Sequence, residues 1–86
     1  MARVILWHKV KDFNAWKSKY DADVARRNAA GLKQVSLNRG KLDPNTLTIE
    51  WTTDDPSIIE KMVGDPELKK IMEDAGVTAM DYYVIP

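Results

Sequence analysis

The chain has no cysteine and a single histidine, so neither disulfides nor thiolate or multi-histidine metal sites are open to it. It has no net charge either: thirteen basic residues balance thirteen acidic ones, interleaved as in Lys61–Glu67 and Lys69–Asp74. A nucleic-acid binder displaces counterions with a clustered positive face, and none is present. No apolar run approaches the roughly 20 residues that cross a bilayer. Lack of cysteine and of a secretory leader points to the cytoplasm. Proline and glycine are sparse, four of each, and no linker divides residues 1–86, which read as one domain. A chain this short buries only roughly 60% of its unfolded surface, so self-association is the expected source of further stability.

What is present is a regular succession of patterned segments. Arg3–Lys9 (RVILWHK) is apolar, β-branched and aromatic without a break, which predicts a strand covered on both faces. Asp12 follows as N-cap of a helix on which Phe13, Trp16, Tyr20, Val24 and Arg27 recur at helical spacing, up to a left-handed cap at Gly31. Leu32–Arg39 alternates, with Val35 and Leu37 opposite Gln34, Ser36 and Asn38. After the turn-forming GKLDPN, Thr46–Thr52 alternates again, setting Leu47, Ile49 and Trp51 on one side. Asp55-Pro56 and Asp65-Pro66 each open a short helical piece. Thr78–Ile85 closes the chain as a strand whose Tyr82 and Tyr83 point to opposite faces.

The order β-α-β-β-α-β with right-handed crossovers predicts an α+β, ferredoxin-like fold. Its four-stranded antiparallel sheet has the order 4-1-3-2, with helices on one face. The other face is left without cover while strands one and four remain apolar on both sides. That predicts a homodimer packed sheet to sheet.

His8 is the natural proton carrier near neutral pH, with Asp12, Glu50 and Asp81 as the acids that topology could bring near it. The reading preferred over catalysis is structural: His8 closes a strand end, bonds nearby backbone and borders the pocket, with simple ligand contact as the third. No second histidine or cysteine accompanies it, so no metal site is expected. Trp16, Tyr20, Trp51 and one of the two tyrosines, taken as Tyr82, are candidates to line a flat apolar pocket between helices and sheet. A packed core is the reading preferred for them. Arg27 extends the aromatic stripe where an alanine or leucine would be ordinary. It snorkels, pairs with an acid, or holds an anionic oxygen at the end of the pocket. No nucleophile elbow, phosphate loop or dinucleotide fingerprint is present.

The segments HKVKDFNAWKSKYDADVARRNAAG and DPELKKIMEDAGV, in this order of elements, resemble the dimeric α/β-barrel superfamily. The closest likeness is to its small antibiotic-biosynthesis-monooxygenase-like members, many of them uncharacterised. The resemblance implies a dimeric barrel and admits several activities: cofactor-free quinone-forming oxygenases, polyketide cyclases, lactone isomerases and haem-degrading enzymes. Haem-degrading members carry their iron-binding histidine on a helix, whereas His8 falls in a strand, so no haem and no other cofactor is expected. Two functional classes follow. One is a cofactor-independent monooxygenase, cyclase or isomerase acting on a small aromatic or polyketide-like compound; the other is a non-catalytic, small-ligand-binding or structural dimer.

Overall fold

The computed structural model describes residues 2–85 and contains four strands and four helices. In chain order they are β1 (Ala2–Val10), α1 (Phe13–Ala22), α2 (Val24–Ala29), β2 (Lys33–Arg39), β3 (Thr46–Thr53), α3 (Ser57–Val63), α4 (Pro66–Asp74) and β4 (Val77–Ile85). The strands form one antiparallel sheet in the order β2-β3-β1-β4, which is the 4-1-3-2 order expected. Strand β1 is central because it is the most apolar stretch available, and it pairs along nearly its whole length with β3 and β4. Its period-two alternation turns Val4, Leu6, His8 and Val10 toward the helices, where all four are buried with Leu47, Ile49 and Trp51 of β3.

Only that face of β1 is covered within the chain. On the other, Ile5 pairs with Tyr83, Trp7 with Asp81 and Arg3 with Ile85. The open face is divided: its β1–β4 half is largely apolar, and its β2–β3 half is polar. In the polar half Asn38 donates to Ser36 and Thr48, and Arg3 lies 3.8 Å from Glu50.

The first helical segment is broken where one continuous helix was expected. Asp12 caps α1 as anticipated, accepting from the Ala15 amide at 2.9 Å, but the helix stops at Asp23. Aspartate is a weak helix former whose backbone is readily drawn into a turn. Here the Asp23 amide closes onto the Tyr20 carbonyl, and α2 starts afresh at Val24. Val24 consequently falls off the stripe and stands about half exposed. Gly31 (φ 75°) and Gly76 (φ 89°) end the helical segments in the left-handed conformation that L residues avoid.

Two further boundaries differ from the sequence pattern. A bulge between Gln34 and Ser36 breaks the alternation of β2, so Val35 is 57% exposed while Gln34 joins Leu37 on the helix side. Asp65 caps α4 as expected, with Pro66 in first position. Asp55 instead binds the amide and hydroxyl of Ser57, and Pro56 occupies the position before α3. Among the described residues, no helix is long and apolar enough to cross a membrane.

Candidate functional site

Helices α3 and α4 do not seal against the sheet. Between them and the β1–β3–β4 surface lies a partly open cleft of about 90 Å³. Its far wall consists of α3 and α4 side chains, Met62 and Met72 among them, and Met80 of β4 adds a third methionine. Thioether chains are unbranched and polarisable, and such a wall reshapes around flat ligands at little cost.

The near wall is a column of rings. Trp16 stacks on Tyr20, with centroids 4.8 Å apart and planes 20° apart, and the Arg27 guanidinium carbon lies 3.5 Å from the Tyr20 ring centroid. His8 meets Trp16 edge-on, with ring centroids 6.1 Å apart. The Tyr20 hydroxyl is fixed at both ends, donating to Gln34 at 2.8 Å and accepting from the Trp51 indole at 3.1 Å. Burial pushes its pKa up, partly offset by the Trp51 bond, so the phenol stays neutral and the column stays rigid.

His8 does not close a strand end, since β1 continues to Val10, and among the described residues its ring makes no hydrogen bond to nearby backbone. It is 3% exposed, and its Nδ1 is enclosed without a hydrogen-bond partner among the described residues. Desolvation lowers its pKa from 6.5 to about 4, so the ring is neutral at neutral pH. None of the three candidate acids orients it. Asp12 caps α1, Glu50 faces Arg3 across the open side, and Asp81 accepts from the Tyr82 amide and the Tyr83 hydroxyl. A buried orphan N–H is costlier than a buried lone pair, so the single ring proton belongs on Nε2.

Arg27 is 9% exposed and has no carboxylate within ion-pair distance among the described residues. Its one hydrogen bond runs from Nη1 to the Tyr20 carbonyl at 2.7 Å, an acceptor it shares with the Asp23 amide. His8, Trp16, Tyr20, Arg27 and Trp51 thus all border the cleft. Tyr82 lies elsewhere: it pairs with Leu6 and packs half-buried on the core, outside the cleft lining. Sequence reading missed the wall of α3 and α4. Its Ile59, Met62, Leu68, Ile71 and Met72 were visible as amphipathic spacing, but spacing does not say whether two short helices close on a sheet or stand off it. No cluster of three His, Cys, Asp or Glu side chains able to hold a metal ion occurs among the described residues.

No family model and no curated protein sequence matches the chain. Solved structures do. A protein from Agrobacterium tumefaciens superposes with a TM-score of 0.71 at 10% identity, over 100% of this chain and 92% of that one. A structure described as an antibiotic biosynthesis monooxygenase gives 0.69 at 13% identity, over 100% and 97%. An uncharacterized NIPSNAP domain protein from Burkholderia xenovorans gives 0.68 at 10%, over 100% and 93%. The chain shares the ferredoxin-like α+β fold of these structures. At these identities the likeness extends to architecture and not to chemistry, because one fold hosts many unrelated sites.

Proposed function

We propose that the chain binds a small, flat, largely apolar carbonyl compound, aromatic or polyketide-like, in the cleft between helices and sheet. The observation that carries this is a neutral imidazole enclosed in an apolar cleft with no carboxylate beside it among the described residues. Such a ring offers one N–H as an orienting donor. It is a poor base, because nothing nearby stabilises the imidazolium that proton abstraction would create. Trp16, Tyr20 and Trp51 supply the flat wall, and the methionines supply the adaptable one.

A second reading, a cofactor-independent monooxygenase, cyclase or isomerase, draws support from the fold likeness and from a cleft poor in water-binding groups. Titration of 1-tetralone against tetralin by tryptophan fluorescence separates ligand binding from simple partitioning. The ketone is expected to bind about fivefold or more tighter, a margin that one hydrogen bond of about 1 kcal/mol supplies and that His8→Leu abolishes. No quenching by either compound sinks the binding reading. Oxygen uptake with an aerated naphthohydroquinone that requires His8 moves the conclusion to the second.

The same proposal includes a homodimer formed through the open sheet face, with Ile5, Trp7, Tyr83 and Ile85 at its apolar half. Sedimentation at micromolar concentration is expected to give twice the mass of the chain. A monomer at that concentration, with an unfolding midpoint independent of protein concentration, overturns it.

A further inference from the structure

The two arginines of the six-residue α2 are handled in opposite ways. Arg26 takes the acids on offer: its Nε lies 3.3 Å from Asp23 and its Nη2 3.6 Å from Glu67 of α4. Asp23 is the one acid in the cleft lining, and it is engaged there. Arg27, the next residue, turns inward beside the cleft and is left with a carbonyl and a ring face. A guanidinium carries five N–H donors in a planar fork, and a single bond to Tyr20 leaves most of them unused. Removing an arginine from water with no counter-charge is unfavourable, and the Tyr20 ring offsets only part of that. The deficit is one negative group wide. Lys19 adds a second positive charge to the cleft lining.

Building on the binding reading above, we infer that the ligand is an anion: a flat apolar body carrying a carboxylate, or an enolate of like geometry, held by Arg27 at the Tyr20 end of the cleft. His8 then meets the ligand's neutral oxygen at the opposite end of the ring column. The rings of Trp16 and Tyr20 lie between the two polar residues, so the ligand is elongated rather than compact. Two unlike polar ends also fix its direction in the cleft.

The test compares 2-naphthoate with 2-naphthamide, which share size and shape and differ in charge, by calorimetric titration near neutral pH. Wild type is expected to bind the carboxylate about tenfold or more tighter, the margin of a bidentate charge-assisted pair. In Arg27→Gln that preference disappears while amide affinity holds within about threefold. Arg27→Lys recovers part of it. Equal affinity for acid and amide in wild type overturns the inference and leaves the binding reading standing. So does a preference that survives in Arg27→Gln, which would make the arginine a prop for the α1–α2 junction. If neither probe binds, the inference falls, and the binding reading is decided by the ketone titration alone. The wild-type comparison needs no variant, so a poorly folded Arg27→Gln protein does not obstruct the decision.

Discussion

Acidification from pH 6.5 to about 4 is expected to cost the protein about 3 kcal/mol through His8 alone. The folded state holds this ring neutral, with its pKa lowered to about 4, whereas in the unfolded chain it titrates at the ordinary 6.5. Between those values the unfolded state binds the extra proton. The contribution is therefore complete above pH 6.5 and is lost as the pH falls through the window. Surface carboxylates add their own titration, so the measurement is a comparison of urea midpoints for wild type and His8→Leu across that range. Wild type should weaken much more steeply. Near neutral pH, His8→Leu should be at least as stable as wild type, since it removes an enclosed nitrogen with no partner, a defect worth about 1–3 kcal/mol. Parallel pH curves for the two proteins would show that water reaches the ring. A stability gain together with lost ketone preference would mark His8 as a residue kept for its ligand at the expense of the fold.

Trp16→Ala should cost about 3–5 kcal/mol, a large part of the about 5–15 kcal/mol that holds a small domain together. Trp16 is the only fully buried residue of α1, and its indole touches Phe13, Tyr20 and His8. Removing it opens a void beside an existing cleft, where neighbours cannot collapse because Tyr20 is tied to Gln34 and Trp51. At about 4–8 °C per kcal/mol for a chain of this size, the thermal midpoint should drop by about 12 °C or more. Trp16→Phe keeps a ring in the column and should lose less than half as much. A small effect from the alanine variant would mean that the column is decoration on a core that holds without it.

Strand order, the Asp12 and Asp65 caps and the buried set of β3 were legible in the sequence, from the succession of segments and from local spacing: period two in Leu47, Ile49 and Trp51, and Asp12 before Phe13. The one-sided burial of β1 was not, because its apolar run has no break. What spacing could not give depends on long-range pairing. The bulge in β2 exists because Lys33 and Asn38 are both registered against β3, with one residue too many between them, and that displaces Val35 and brings Gln34 to Tyr20. Arg27 was flagged as anomalous from its place on an apolar stripe. Its ring partner and carbonyl became visible only once the break at Asp23 was known. Tyr82 was separable from Tyr83 by face but not from the core by position, since a residue under the helices can lie beside the cleft or beyond it. The enclosure of His8 was equally out of reach, because burial of one side chain is the joint product of Trp16, Met80 and the distant helices.

The break at Asp23 makes the cleft's charge a matter of chain length as well as of residue type. Helix α2 turns about 100° per residue, so its register relative to α1 is set by how many residues the junction contains. One residue more between Tyr20 and Val24 would bring Arg26 round to the inward position, set Ala25 where Arg26 now meets the acids, and carry Arg27 on to the place of Asn28. One residue fewer would bring in Asn28, with the cation gone and an amide in its place. A single-codon insertion or deletion at this junction could thus redirect or neutralise the site while every residue of the ring column stays as it is. Among chains of this architecture, alignments that slide a gap through the junction would pair residues that do not share a role.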